Sequence, residues 1–278
     1  MDKINQSFLH LNMKGCFLIF IIIVCISLKI SAQDKSLYQK HWYVEKGDTM
    51  PYRILLPKNF DPDNYRGKKY PLILFLHGAG ERGKDNELQL VHGASFFLKD
   101  SIREKYPAII VFPQCPANSY WSNVNIAVDS LAKKRIFNFQ IEGKPTTAMN
   151  LLMGLLNFLE NKYPLDKRRM YVGGLSMGGM GTYELVRRKP KLFAAAFAIC
   201  GGANAATAKK LKHTSWWIFH GLKDNVVDPE LSKTIAEAIQ KQGAEVKLTL
   251  YPNENHNSWD AAFAEKDLMP WLFSYHKK

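Results

Sequence analysis

Ser176 stands between two glycines, in Gly174-Leu175-Ser176-Met177-Gly178. The five residues follow a strand-like run, Met170–Gly173, and open a helical pattern that reaches Arg188. A strand, a sharp turn and a helix lift a serine hydroxyl clear at a helix N-terminus. Such a turn needs small residues two before and two after the serine, and Gly174 and Gly178 are small. Gly179 and Gly181 leave further room where the helix packs near a sheet. The alternative is a glycine-rich turn with an incidental serine; the strand–turn–helix setting favours chemistry.

A serine alone is a poor nucleophile at neutral pH. It needs a base to take its proton and an acid to orient that base. Asp224 follows a strand-like run in His220-Gly221-Leu222-Lys223-Asp224. His256 follows the last such run, in Asn255-His256-Asn257-Ser258-Trp259. Both positions fall where side chains reach across a sheet edge. Asp228 is a rival acid, but it immediately precedes Pro229, as a helix start would. His220 is a rival base, but it lies too near Asp224 in sequence to leave a separate orienting role, and it reads as a loop brace. His41, His92 and His213 have no comparable strand-end setting.

Nucleophilic attack on a carbonyl also needs donors for the oxyanion, fixed in advance. The turn Leu76-His77-Gly78-Ala79-Gly80-Glu81-Arg82-Gly83 follows the strongest strand candidate. Its Ala79 N–H is the first choice, with Gly80 next, and the Met177 N–H points toward the same space. His77 reads as a structural turn residue. Glu81 and Arg82 either pair with each other or shape the cleft. The turn lacks the Gly-Lys-Ser/Thr ending of a phosphate-binding loop. No His/Cys/Asp cluster shows metal-ligand spacing, so neither metal nor cofactor is expected.

The elements that must hold these groups alternate. Strand candidates are Tyr52–Leu56, Tyr70–Leu76, Ala108–Phe112, Met170–Gly173, Ala194–Ile199, Ser215–Phe219 and Val246–Tyr251. Several are continuously apolar, which suits strands buried on both faces of a mostly parallel sheet. Helical patterns cover Thr146–Asn161, Ser176–Arg188 and Leu231–Gln242. Alternation of this kind predicts a layered α/β domain with helices on both faces of a central sheet. Residues 114–145 are the exception: a long stretch that is either irregular, or built with structure of its own, or a wall of the cleft.

The 278 residues are 46% hydrophobic and 23% charged, ordinary globular usage that excludes a disordered or disulfide-dense chain. Phe17–Leu28 is a short apolar run with Lys14 before it and Ser31-Ala32-Gln33 after it. That order predicts an export leader over residues 1–33, too short in its apolar part for a permanent membrane anchor, with one domain over 34–278. The predicted destination is periplasmic or extracellular. Removing the leader takes Cys16 and Cys25 with it and leaves Cys115 and Cys200, either paired or buried as small hydrophobes. The formal net charge of +13 permits weak attraction to anionic polymers, but a solvated basic surface explains it as well, and no nucleic-acid partner is expected.

The segments LFLHGAGERG, VFPQCP, YPLDKRRMYVGGLSMGGMGTYEL, AICGG and HGLKDNVV, with His256-Asn257-Ser258-Trp259, occur in this order over residues 70–260. Together they resemble the α/β-hydrolase superfamily. More narrowly they are similar to bacterial exported esterases termed predicted peptidases, kin to dienelactone hydrolases, polyhydroxybutyrate depolymerases and family 1 carbohydrate esterases. The resemblance implies a serine carboxylic-ester hydrolase without cofactor, acting through an acyl-enzyme. It implies Ser176 as nucleophile, Asp224 as acid, His256 as base, and Met177 and Ala79 as oxyanion donors. It further implies that Gln114 and Trp121 line the cleft. The substrate would be a small-molecule or polysaccharide ester, with acetyl and feruloyl groups as candidates. A prolyl-oligopeptidase-like peptidase, a phospholipase or thioesterase, and a non-catalytic carbohydrate-binding protein are the alternatives.

Overall fold

The apolar runs lie side by side as a sheet. The structure is a computed structural model, and residues 35–61, 67–131 and 134–277 are described. The predicted leader lies outside the described residues. Among those residues the strands are β1 (Gln39–Glu45), β2 (Asp48–Leu55), β3 (Tyr70–Leu76), β4 (Ile109–Pro113), β5 (Val124–Val128), β6 (Arg135–Phe139), β7 (Leu165–Leu175), β8 (Ala195–Ile199), β9 (Ser215–Gly221) and β10 (Val246–Tyr251). Eight of them form one sheet in the order β1-β2-β4-β3-β7-β8-β9-β10. Strands β4, β3, β7, β8, β9 and β10 run parallel; β2 and β1 continue the sheet antiparallel.

Successive side chains of a strand point to opposite faces. Leu72, Leu74 and Leu76 of β3 enter one apolar cluster, whereas Ile73 and Phe75 enter the other. Both faces are therefore covered, which explains the unbroken apolar runs. Helices α1 (Ala94–Leu98), α2 (Asp100–Lys105), α3 (Thr147–Lys162), α4 (Met177–Arg188), α5 (Ala208–Leu211), α6 (Pro229–Lys241), α7 (Trp259–Ala264) and α8 (Leu268–Ser274) supply the cover. Helices α3, α4 and α6 pack on the first face, and α1, α7 and α8 on the second. None of the helices among the described residues is long and apolar enough to cross a membrane. This is the layered α/β arrangement, with helices on both faces of a mostly parallel sheet, that the alternating pattern predicted.

Capping fixes the helix ends. Thr146 accepts the Met149 N–H at the start of α3. Asp228 accepts the Glu230 N–H at 2.9 Å, with Pro229 in the first turn of α6. Asp228 is thus a helix cap, as its place before proline implied. The long 114–145 stretch carries its own hairpin, β5 paired antiparallel to β6. Arg187 of α4 anchors the return of that hairpin by donating to the Ile141 and Gln140 carbonyls, while Glu184 holds the same guanidinium. Cys115 and Cys200 are both buried and unpaired.

The start of α4 presses on the end of β3. A Cβ added to Gly178 would run into the carbonyl of Leu76, which is backbone and cannot yield cheaply. Gly178→Ala is therefore expected to destabilise the protein by about 3 kcal/mol or more, at the severe end of single substitutions. Chemical denaturation of the variant beside the parent measures it; a loss below about 1 kcal/mol would show that the approach is looser.

Candidate active site

The site grows from the carboxyl ends of the parallel strands, where open α/β sheets place their ligand crevices. Strand β7 ends at Leu175 and delivers Ser176. The turn after β9 delivers Asp224, and the turn after β10 delivers His256. The turn after β3 begins at His77 and carries Ala79 in a single 3-10 turn, Ala79–Glu81.

Ser176 has φ 52° and ψ −117°, a conformation that an L side chain seldom adopts. Strain of this kind costs about 1–3 kcal/mol and persists only where the surroundings over-determine it. They do so here: the Ser176 N–H donates to the Ile199 carbonyl at 2.8 Å, and its carbonyl accepts the Met180 N–H at 3.0 Å. The hydroxyl stands above α4, and its Oγ lies 2.9 Å from His256 Nε2. His256 Nδ1 in turn lies 2.7 Å from Asp224 Oδ2. Because a carboxylate only accepts, Nδ1 carries the proton and Nε2 is left as the acceptor for the serine hydroxyl. His256 keeps 20% of its side chain exposed, so the pair is reachable from solvent, while the Asp224 carboxylate is fully enclosed.

Burial alone would push the Asp224 carboxyl up. Hydrogen bonds from His220, His256 and the Val227 N–H outweigh it and hold the group well below the usual carboxylate range. Oδ1 accepts the N–H groups of Val226 and Val227 at 2.8 and 3.0 Å. Oδ2 is shared by His256 and by His220 Nε2, the latter at 3.1 Å. His220 Nε2 also faces the Val227 carbonyl at 3.0 Å, so that nitrogen must carry a proton. Its other nitrogen sits 2.7 Å from Ser232 Oγ, and Ser232 reaches the Gly201 carbonyl at 2.9 Å. His220 thus braces the acid loop.

Helix α4 starts at Met177 and the 3-10 turn starts at Ala79, so both N–H groups belong to the orphan donors of a helical first turn. The two segments touch: a Cβ on Gly78 would lie 3.7 Å from Ser176 Cβ. Arg82 ties the turn down by donating to the Ala79 carbonyl at 3.0 Å and the Ser119 carbonyl at 3.2 Å. Arg82 and Glu81 do not pair with each other. Glu81 faces the imidazoles of His77 and His92 at 3.9 and 3.7 Å.

Two expectations are corrected. Gln114 and Trp121 do not line the cleft, because neither exposes any surface. Gln114 Oε1 accepts the Asn86 N–H at 2.8 Å, and its Nε2 donates to the Glu81 carbonyl and to Asp85 Oδ2. Trp121 donates from Nε1 to the His77 carbonyl at 3.2 Å and packs edge-on against that imidazole. Both residues hold the His77–Gly83 turn from behind. The aromatic that does reach the site is Trp259, half-buried with its ring 5.6 Å from His256 and 4.8 Å from His92. Sequence reading also passed over Cys200. It follows β8, which pairs with β7, so the fold sets it beside the elbow, although it is 24 residues from Ser176 and 56 from His256.

His77 is wholly buried. Its Nδ1–H donates to the Gly78 carbonyl at 2.6 Å and its Nε2 accepts the Cys115 N–H at 2.9 Å. Burial lowers its pKa to about 4, despite the help that the Gly78 carbonyl gives the charged form. A depressed pKa in the fold means that the unfolded chain takes up the proton first as pH falls. The contribution is present above the ordinary value near 6.5 and is lost between there and about 4, amounting to about 3 kcal/mol. Denaturation series at pH 7 and pH 4.5 should show this loss, and His77→Gln should flatten the difference. An equal pH dependence in parent and variant would assign the loss to other groups.

Residues 63–266 match the family described as phospholipase/carboxylesterase. Among curated proteins, the bifunctional acetylxylan esterase/xylanase XynS20E of Neocallimastix patriciarum is 32% identical over 77% of this chain. The poly(3-hydroxybutyrate) depolymerase of Ralstonia pickettii is 30% identical over 48% of it. The chain spans only 28% and 25% of those two proteins, respectively. Among solved structures, a thermostable esterase is 31% identical with a TM-score of 0.74, over 86% of this chain and 63% of that one. A ferulic acid esterase of Anaeromyces mucronatus, 15% identical with a TM-score of 0.57 over 82% of this chain and 86% of that one, shares the fold. With the family matched over most of its length, the chain belongs to the phospholipase/carboxylesterase family of α/β-hydrolases.

Proposed function

We propose that the chain is an exported serine esterase that works through an acyl-enzyme, with Ser176 as nucleophile, His256 as base and Asp224 as the acid that orients it. One observation carries the reading: an unbroken path of 2.9 and 2.7 Å from the Ser176 hydroxyl through the His256 ring to the Asp224 carboxylate. His256 Nε2 takes the hydroxyl proton as Oγ attacks the ester carbonyl. The ring becomes an imidazolium, and Asp224, ionised and held by four donors, stabilises that charge. The N–H groups of Met177 and Ala79 receive the oxyanion, each worth about 3–4 kcal/mol in the transition state. The tetrahedral intermediate collapses as His256 returns the proton to the leaving alcohol, and the acyl group stays on Ser176. Water, deprotonated by the same histidine, then releases the acid and restores the serine. The chemistry needs no cofactor.

Export rests on the basic, apolar and small-residue order of residues 1–33. An acylated polysaccharide is the favoured substrate, because the relative that covers most of this chain among the curated ones at 30% identity or more is named for acetylxylan. Half-buried Trp259 beside His256 offers an aromatic face at the mouth of the site.

Purified protein and its Ser176→Ala variant should be compared on p-nitrophenyl esters of several chain lengths, methyl ferulate, acetylated xylan and a prolyl peptide amide. Ester turnover should fall by about 10⁴-fold or more in the variant, and Asp224→Asn should lose a similar factor by fixing the wrong tautomer. Turnover that survives Ser176→Ala would overturn the mechanism. Cleavage of the peptide alone would overturn the choice of substrate.

A further inference from the structure

Cys200 occupies an unusual place for a thiol that the ester chemistry does not use. It follows β8, is completely buried, and is held at φ 42°. Its N–H donates to the Phe219 carbonyl at 2.8 Å, which fixes it between the ends of β7 and β9. The thiol is unpaired. A ligand atom of Cys200, one of Asp224 and one of His256 all lie within 4.8 Å of one another. The Ser258 hydroxyl is fully buried and adjoins the same thiol. One sulfur, one imidazole and one carboxylate thus gather beside Ser176, with the Ser258 oxygen against the sulfur.

That donor set has a chemical preference. Thiolate and imidazole favour zinc-class cations, whereas magnesium and calcium prefer oxygen alone. Metal–ligand bonds of about 2.0–2.3 Å put tetrahedral ligands roughly 3.3–3.8 Å apart. The three side chains need shift by only about 1 Å to reach that spacing. Three protein ligands leave a fourth position for water or for the Ser258 oxygen. A cysteine loses its proton on binding such an ion.

We propose that Cys200, Asp224 and His256 form an inhibitory site for a soft divalent cation of the zinc class. Binding releases the Cys200 proton to solvent, forms metal–sulfur, metal–nitrogen and metal–oxygen bonds, and involves no oxidation. If the ion takes His256 Nδ1, the proton there moves to Nε2, which then donates to Ser176 instead of accepting from it. If the ion takes Nε2, the base is occupied outright. Either way the serine keeps its proton and hydrolysis stops. The inhibition rests on the reading of His256 as base; the binding of the ion does not.

The test uses the untagged protein, its Cys200→Ala and Cys200→Ser variants, and Ser176→Ala. Zn²⁺ is titrated into p-nitrophenyl acetate hydrolysis, and Cd²⁺ is followed by thiolate-to-metal charge-transfer absorption. The parent should show both inhibition, reversed by a chelator, and absorption. The two Cys200 variants should hydrolyse the ester without metal, lack the absorption and need at least about tenfold more Zn²⁺ for half-inhibition. Ser176→Ala should keep the absorption, so the cation site stands or falls separately from the nucleophile. Equal inhibition in parent and Cys200 variants, absence of absorption in the parent, or absorption without inhibition would each overturn the proposal.

Discussion

The catalytic edge depends on how closely one helix can approach two strands. Helix α4 begins where β7 ends, and its first turn lies against the carbonyl of Leu76 at the end of β3. No side chain fits in that gap, so positions 174 and 178 carry none. The approach forces the Ser176 backbone into an otherwise costly conformation, and the Ile199 carbonyl holds it there. It also brings the turn after β3 to within contact of the serine. The Ser176 backbone geometry and its closeness to the turn after β3 are therefore one packing event, not two.

The second dependence is electrostatic. A fully enclosed carboxylate is unfavourable unless its lone pairs are met. Asp224 meets two backbone N–H groups and two histidines, and its charge follows from that cage. The cage belongs to three different segments: the Asp224 turn itself, the end of β9 through His220, and the turn after β10 through His256. His220 is braced by Ser232 on α6, and α6 is positioned by the Asp228 cap. A helix cap thus bears, through this chain of contacts, on the orientation of the His256 ring. The hydrogen-bond chain makes this an argument from contact; it does not require motion.

Much of this was legible in the sequence. All seven strand candidates lie in the sheet; inner strands such as β3 and β4 read as unbroken apolar runs because both their faces are buried, whereas β10 at the edge carries Lys247 and Thr249. Ser176, Asp224 and His256 were legible as neighbours because strand-end positions in a parallel sheet converge, whatever their separation along the chain. Strand β1 was missed: it is an edge strand, and its outward Trp42 and Val44 blur the alternation. The short helices α1, α2, α7 and α8 have too few turns to show a period. The nearness of Cys200 to Asp224 and His256 was not legible for a related reason: strand order, not local spacing, sets those neighbours.

Gln114 and Trp121 show how sequence position and role come apart. Both follow β4 in the chain, and a polar amide and a large aromatic look suited to substrate contact. Each instead spends its polar atoms on the turn after β3: Gln114 on the Glu81 carbonyl and Asp85, Trp121 on the His77 carbonyl. An oxyanion donor is useful only if it stays in place while charge develops, since reorganisation would consume the stabilisation. A seven-residue turn rich in glycine cannot supply that rigidity by itself. The amide, the indole, the neutral buried His77 and Arg82 supply it from behind, each by binding a backbone carbonyl of the turn. Their contribution to the chemistry is to keep the turn still, and for that they must be buried.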